Sequence, residues 1–315
     1  MKVTLVIPCY NEAENVDNMY RAIEDAFLGK GMDVELVYVN DGSRDNTLQK
    51  LKALLPKTDF EIKIVDFSRN FGKEAAIYAG LKQSTGDYTA LIDGDLQQPP
   101  ALVAEMVSFL EANEDYDCVA TYQDKRGESK TLTFFKRAFY KVINGVTDVT
   151  FVNGASDFRT FRRNVLETIL SMSEGDRFTK GIFAWVGFRT HFIPYVAAER
   201  TAGVSKWSFR KLFKYAMGGI MSFSSAPLNF AKYAGGLSVF SSFVYLLVAL
   251  IRLWGFDVAM SPIDPVIMLI LLIGGLNLIA MAILGSYVGR IFFESKKRPI
   301  YIARAVLSNE KQADN

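Results

Sequence analysis

YTALIDGDLQQPP, Tyr88 to Pro100, opens on an apolar run and stops at two acids, Asp93 and Asp95, with Gly94 between them. The run is short and unbroken, as in a strand covered on both faces, and the acids stand just past its carboxyl end. Outward from it the pattern repeats. VTLVIP from Val3, VELVYVND from Val34, EIKIVDF from Glu61 and DCVATY from Asp117 are further apolar runs, separated by stretches of helical period. Such alternation from Met1 to about Asp124 predicts an α/β fold with a parallel central sheet. In open α/β sheets ligands bind outside the carboxyl ends of the strands. The residues there are Tyr10, Asn11 and Glu12, then Asp41, Gly42 and Ser43, then Ser68, Arg69 and Asn70, then Asp93, Gly94 and Asp95. Four polar clusters are therefore expected on one edge.

Composition narrows the chemistry. The formal net charge is +2, with 36 Lys and Arg against 34 Asp and Glu, which is no footprint for a nucleic-acid partner. Two cysteines, Cys9 and Cys118, match neither a disulfide framework nor a zinc site, and they suit a reducing compartment. A single histidine, His191, leaves no material for a multi-histidine metal centre and reads as a strand or loop residue. The N-terminal apolar run reaches Pro8 too soon to be a signal-peptide core, so the chain is expected to start in the cytosol.

The apolar half of the composition is concentrated toward the C-terminus. Lys130 to Val146 reads as a core-packing helix with a solvated basic face. Between Phe209 and Ile220, apolar residues share one helical face and Arg210, Lys211 and Lys214 the other, as in a helix lying in a membrane interface. Ala231 to Leu253 and Pro265 to Val288 are each about 23 residues of nearly unbroken apolar sequence, long enough at ~1.5 Å per residue to span a bilayer. Basic residues precede the first and follow the second, while the loop between them has none, so both ends are expected in the cytosol. Gly274, Gly275, Gly285 and Gly289 suggest close helix packing, and Asn277 an interhelical hydrogen bond; glycine-rich anchors of this kind suit a homo-oligomer. The expected organisation is a catalytic domain over 1–208, juxtamembrane helices over 209–229, two transmembrane helices over 230–290 and a cytosolic tail over 291–315.

Two carboxylates at a strand end, with a glycine that lets the backbone approach a ligand, suit a hard divalent cation bridging a diphosphate, Mg2+ or Mn2+. Such a cation neutralises charge on a departing nucleoside diphosphate. IPCYNEAEN (Ile7 to Asn15), VNDGSRDNT (Val39 to Thr47), SRNFGKEAA (Ser68 to Ala76), DGDLQQPP (Asp93 to Pro100) and ERTAGVSKW (Glu199 to Trp207) together resemble glycosyltransferase family 2. The likeness is to its polyprenyl-phosphate branch, which includes dolichyl-phosphate mannose synthases and bactoprenol glucosyltransferases, and it extends over essentially the whole chain.

The resemblance implies a GT-A (nucleotide-diphospho-sugar transferase) fold with a C-terminal interfacial helix and a two-helix transmembrane hairpin. It implies an integral protein of the bacterial inner membrane, with a nucleotide-sugar donor and a polyprenyl phosphate acceptor. UDP-glucose and undecaprenyl phosphate are the expected pair, with GDP-mannose or another UDP-sugar as alternatives. Carried over by residue, Pro8, Tyr10, Glu12, Val39 and Asp41 would hold the nucleoside. Asp93 and Gly94 would face the nucleotide, and the cation would sit among Asp93, Asp95 and Gln97. Arg200 and Lys206 match the family's phosphate-binding segment, with Arg126 and Lys180 at further positions. Asp157, in NGASDFRTFRR, is the third acid of interest, serving either in catalysis or in a hydrogen bond at the sheet end. A phosphate monoester has its second pKa near ~6 and needs no base to attack. A processive polysaccharide synthase lacks support, because there is no Q-x-x-R-W segment and two spans cannot enclose a polymer. A non-catalytic nucleotide-sugar scaffold has no use for Asp93, Asp95, Asp157, Arg200 and Lys206 together.

Overall fold

The computed structural model describes residues 1–123, 152–195 except 153, 173 and 176, and 263–309, together with helical positions Asn144, Leu237, Phe240, Val244 and Leu247. The chain divides into two units, one of Met1–Gly219 with Pro299–Asn315 and one of Ile220–Arg298.

The first unit is an eight-stranded sheet covered by helices. Its strands are β1 (Lys2–Cys9), β2 (Asp33–Asn40), β3 (Glu61–Phe67), β4 (Tyr88–Leu91), β5 (Cys118–Gln123), β6 (Ala155–Arg162), β7 (Thr190–Tyr195) and β8 (Ala303–Ser308), in the order β7-β5-β6-β4-β1-β2-β3-β8. The helices are α1 (Val16–Phe27), α2 (Thr47–Leu54), α3 (Lys73–Gln83), α4 (Ala101–Ala112), α5 (Arg163–Ser171) and α6 (Thr179–Trp185). β4, β1, β2 and β3 are mutually parallel, as expected. Strand order reverses at β1, which has β2 on one side and β4 on the other, and the crevice at such a reversal is where α/β sheets bind ligands.

The flank departs from a simple parallel sheet. β5 does not pair with β4; β6 lies between them, antiparallel to both. That insertion has a functional consequence. Leu91 is opposite Arg159 in the β4–β6 register, so two residues beyond the end of β4 and two toward the start of β6 bring Asp93 opposite Asp157.

Both faces of the central strands are buried, which explains their unbroken apolar runs. On one face Val3, Leu5 and Ile7 of β1 join Val16, Met19, Ile23 and Phe27 of α1 and Val103, Met106, Val107 and Leu110 of α4 in one core. The spacing of the helical residues is that of a single buried stripe. On the other face α3 lies so close that a Cβ on Gly80 would stand 2.3 Å from Val6 Cγ1.

The amino ends of the strands carry a buried ionic network. Glu35, fully buried, takes Lys63 Nζ at 2.6 Å, the Thr85 amide at 2.9 Å, the Thr85 hydroxyl at 2.8 Å and the Thr4 hydroxyl. Lys63 also meets Glu61 at 3.0 Å, and Lys2 meets Glu61 at 2.6 Å. Burial works to raise the Glu61 carboxyl, but Lys2 and Lys63 outweigh it and hold it down to about 2. The network's stabilisation is therefore complete above the ordinary value of 4.5 and is lost as pH falls through about 2. Removing one partner of such a pair strands a buried charge, so Lys63→Met is expected to cost about 3–5 kcal/mol. A thermal or urea midpoint indistinguishable from that of the unaltered protein would contradict this account.

Within 291–315, expected as a tail, Ala303–Ser308 forms β8, antiparallel to β3 with Val306 opposite Val65. Tyr301 stacks on Phe67 at 5.0 Å, the Ser68 amide donates to the Ile302 carbonyl at 3.0 Å, and Arg304 donates to the Ser68 carbonyl at 3.2 Å.

In the second unit, α7 (Ile263–Ser295) covers the residues expected to form the second span. Its segment Leu272–Gly289 is long and apolar enough to cross a membrane, the one such helix among the described residues. The expected first span, Ala231 to Leu253, lies outside the described residues apart from the four helical positions named above, as does the interfacial stretch 209–229; Lys130 to Val146 is likewise outside them apart from Asn144. A hairpin is therefore not seen here, and one apolar helix is what the described residues contain. Among them, no atom comes within 4 Å of a Cβ placed on Gly274, Gly275, Gly285 or Gly289, and the span expected to pack on these glycines lies outside the described residues apart from those four positions.

Candidate active site

The carboxyl ends of β1 and β2 form one wall of the crevice. Pro8 is in register with Val39, whose side chain is fully buried, so Val39 can offer a ligand only its backbone. Beyond β1 the chain turns through Asn11 at φ 54, a left-handed conformation that asparagine tolerates. The turn is laced to the loop after β2. The Asn11 amide donates to the Ser43 hydroxyl at 3.0 Å, the Arg44 amide to Asn11 Oδ1 at 2.9 Å, and the Glu12 amide to the Thr47 hydroxyl at 2.9 Å. Tyr10 and Glu12 are half-buried in this wall, and the Glu12 carboxylate accepts from Asn15 Nδ2 at 2.7 Å at the start of α1.

Asp41 sits at the next strand end and is nearly buried. Its carboxylate accepts from the Phe71 amide at 2.7 Å, the Gly72 amide at 3.0 Å and Asn70 Nδ2 at 2.9 Å. Burial raises its carboxyl above the ordinary value, and the Phe71 and Gly72 amides and the Arg69 charge work against that rise. Expected to meet base or ribose, Asp41 is the anchor of the β3–α3 loop. Gly42 lets that loop close: it has φ 62, and a Cβ there would lie 2.4 Å from the Arg69 carbonyl carbon.

The loop so held delivers Lys73, the first residue of α3, to the acids. Lys73 Nζ is 2.7 Å from Asp93 Oδ1, 3.0 Å from Asp93 Oδ2 and 3.0 Å from Asp157 Oδ2. Burial lowers the Lys73 ammonium, but Asp93 and Asp157 outweigh it and hold it above its ordinary value. Burial likewise raises the Asp157 carboxyl, yet the Lys73, Lys180 and Arg159 charges pull it down to about 2. Asp157 is thus a carboxylate at any physiological pH. Its Oδ1 is buried and has no hydrogen-bond partner among the described residues.

The sequence assigned no role to Lys73, although it lies in the quoted segment SRNFGKEAA; a cation opening a helix after a strand end was the available signal. Gln98 was also missed. It is nearly buried, accepts from the Asp93 amide at 2.8 Å and donates to Asp93 Oδ2 at 3.1 Å, so it fixes the carboxylate. Asp95 is half-buried and accepts from the Gln97 amide at 3.2 Å across Leu96, which has φ 60. Gly94 packs on β1, where a Cβ would stand 3.3 Å from both Cys9 Sγ and the Pro8 carbonyl oxygen. Tyr195, at the end of β7, has its phenol raised by burial first and by Asp93 and Asp95 as well, which places it near the acids. Lys180 donates to the Ala155 carbonyl at 3.0 Å at the start of β6, and next to it the Thr179 amide and hydroxyl donate to Glu74. His191 is stacked on Phe109 at 4.3 Å in β7, as a packing residue. Arg126, Arg200 and Lys206 lie outside the described residues.

The donor set fits a hard divalent cation in part. Asp93 and Asp95 offer carboxylate oxygens at one strand end, and the Asp157 Oδ1, without a hydrogen-bond partner among the described residues, has spare acceptor capacity. No group of three or more His, Cys, Asp or Glu among the described residues is arranged to hold a metal. Mg2+ is commonly bound by one or two carboxylates and completed by substrate phosphates and water.

The Glycosyl transferase family 2 profile matches residues 4–170. Putative glycosyltransferase CsbB of Bacillus subtilis (strain 168) is 37% identical over 302 residues, covering 96% of this chain and 91% of that protein. The bactoprenol glucosyl transferase of Shigella phage SfV is 36% identical over 312 residues, 99% of this chain and 100% of its own length. Among solved structures, glucosyl-3-phosphoglycerate synthase from Mycobacterium tuberculosis in complex with Mn2+, UDP-glucose and phosphoglyceric acid is similar with a TM-score of 0.45 at 19% identity, over 70% of this chain and 79% of that one. With more than half its length matched by the family profile and relatives above one-third identity from end to end, this chain belongs to glycosyl transferase family 2 and is a glycosyltransferase.

Proposed function

We propose that the protein transfers glucose from UDP-glucose to a polyprenyl phosphate, undecaprenyl phosphate, at the cytosolic face of a membrane, with inversion and with Mg2+ or Mn2+. The observation that carries this reading is the acid pair Asp93 and Asp95 at the strand-order reversal, with Asp157 brought opposite by the antiparallel β6. The glucose and lipid assignments are supported by full-length relatives named bactoprenol glucosyl transferase.

In this reading Pro8, Tyr10, Glu12 and the Val39 backbone line the nucleoside pocket, and Asp41 keeps its far wall closed by holding the Asn70–Gly72 loop. Asp93, Asp95 and Gln97 would hold the cation, which when bound would supply charge neutralisation for the departing diphosphate. An oxygen of the lipid phosphate forms the new bond to the anomeric carbon while the bond from that carbon to the nucleoside diphosphate breaks on the opposite face. No proton has to be removed from the acceptor, whose second pKa is near ~6. The low value of Asp157, about 2, suits that requirement: such a carboxylate is a poor base and a good fixed charge for orienting sugar or Lys73. Arg200 and Lys206, with Arg126 and Lys180, are assigned to the donor and acceptor phosphates.

The membrane reading draws on connectivity. The first unit is built from residues on both sides of the second in sequence, which supports an even number of crossings if the second unit enters a membrane. α7 would be one of them, and Ala231 to Leu253 completes a hairpin. Incubating the purified protein with radiolabelled UDP-glucose, UDP-N-acetylglucosamine and GDP-mannose in turn, with undecaprenyl phosphate, tests the assignment. Label from UDP-glucose is expected in a solvent-extractable lipid. Label in a long polymer, or in lipid only from another donor, would overturn the corresponding part of the reading.

A further inference from the structure

The Lys73 ammonium occupies the place in the site where a second positive charge is least welcome. It touches both oxygens of Asp93 and one of Asp157, while Gln98 takes a further position on Asp93 Oδ2. A divalent cation brought to Asp93 would face that ammonium at a few ångströms, and like charges at such range repel by an amount that decides occupancy.

The backbone around Lys73 is held on both sides. On one side the Gly72 amide is fastened to Asp41; on the other the Glu74 carboxylate holds the amide and hydroxyl of Thr179. What can move is the side chain, whose flexible stem is 42% exposed. A nucleoside diphosphate arriving with the cation offers the ammonium a new anionic partner and takes over part of the cation's coordination.

From this geometry we propose that Lys73 holds the cation's place in the donor-free enzyme, so that the divalent ion binds tightly only together with the nucleoside diphosphate. Lys73 is then a positioning residue that couples two ligands. The coupling is reciprocal: the ion tightens the nucleotide by the same factor as the nucleotide tightens the ion. Lys73 also offsets part of the charge of Asp93 and Asp157 while the donor is absent. The inference rests on the metal-dependent reading above.

Mn2+ titrations of the full-length protein in detergent, followed by the electron paramagnetic resonance of free Mn2+ with and without UDP, test it. In the unaltered protein UDP is expected to tighten Mn2+ by about tenfold or more. In Lys73→Met, Mn2+ alone should bind about tenfold tighter than in the unaltered protein, and the tightening by UDP should shrink. Lys73→Arg, which keeps the charge, should bind Mn2+ alone as weakly as the unaltered protein. Lys73→Gln provides a second neutral side chain, and a melting curve for each variant establishes that it is folded. Neutral variants that bind Mn2+ alone no tighter, or that retain the full effect of UDP, overturn the inference while leaving the metal reading intact. Failure of every form to bind Mn2+ even with UDP overturns the metal reading and the inference with it.

Discussion

Asp95→Ala is expected to leave a folded, membrane-bound protein whose sugar transfer falls by roughly 10²–10³-fold or more. Asp95 lies beyond the end of β4, half-buried, with no part in the apolar core that holds α1 and α4 to the sheet. Its loss removes one of two strand-end carboxylates without opening a cavity, so stability should change little. The assignment to charge neutralisation has a further signature. The defect should appear in turnover and in Mn2+ dependence together, because the interaction is made chiefly as charge builds on the leaving diphosphate. A variant that transfers sugar at the unaltered rate would remove Asp95 from the mechanism, and one that fails to fold would show that its role is structural.

Gly42→Ala is the second substitution with a large expected effect, and it acts at a distance from the acids. The new Cβ would lie 2.4 Å from the Arg69 carbonyl carbon and 2.5 Å from the Asn70 amide nitrogen, both backbone atoms, at a position with φ 62. The left-handed conformation alone costs an alanine about 1–2 kcal/mol. Overpacking against backbone adds roughly 1–3 kcal/mol. Relief requires the β3–α3 loop to move away from Asp41, and that loop ends at Lys73. UDP binding should therefore weaken by about tenfold or more, as one lost charge-assisted contact would imply. Gly31→Ala supplies the comparison, since Gly31 has φ 69 but nothing within 4 Å of a new Cβ. It should show backbone strain without a change in UDP affinity. Equal effects on UDP binding from both substitutions would contradict the proposed link between Gly42, Asp41 and the loop.

The parallel heart of the fold was legible because its physics is local. Val3 to Pro8, Val34 to Asp41, Glu61 to Phe67 and Tyr88 to Asp95 each read as a strand from apolar continuity, with polar residues just past the end. The clusters after β2 and β3 do meet, through the hydrogen bonds of Asn70 to Asp41. The partner of Asp157 was not legible, because it depends on β6 being inserted antiparallel between β4 and β5, which no periodicity reveals. Lys73 was hidden for a similar reason. Its approach to the acids depends on the Asp41 hydrogen bonds, Gly42 and a helix start, none of which a strand pattern records. β8 escaped notice because ARAVLS is short and its partner Glu61–Phe67 is far away in the chain, so the pairing is a property of tertiary structure alone. Asp41 was assigned to the nucleotide from its place in the motif; that its carboxylate also holds the neighbouring loop was not legible, because the loop's amides reach it only in the folded chain.

Mass-spectrometric detection of glucosylated undecaprenyl phosphate, made by the purified protein from UDP-glucose, tests the central claim most directly. Parallel reactions would contain Mn2+, excess chelator, or chelator followed by restored Mn2+. The account expects the glycolipid with Mn2+, its disappearance under chelation and its return on replenishment. Undiminished product in chelator, or no glycolipid from any nucleotide-sugar when undecaprenyl phosphate is present, would contradict it.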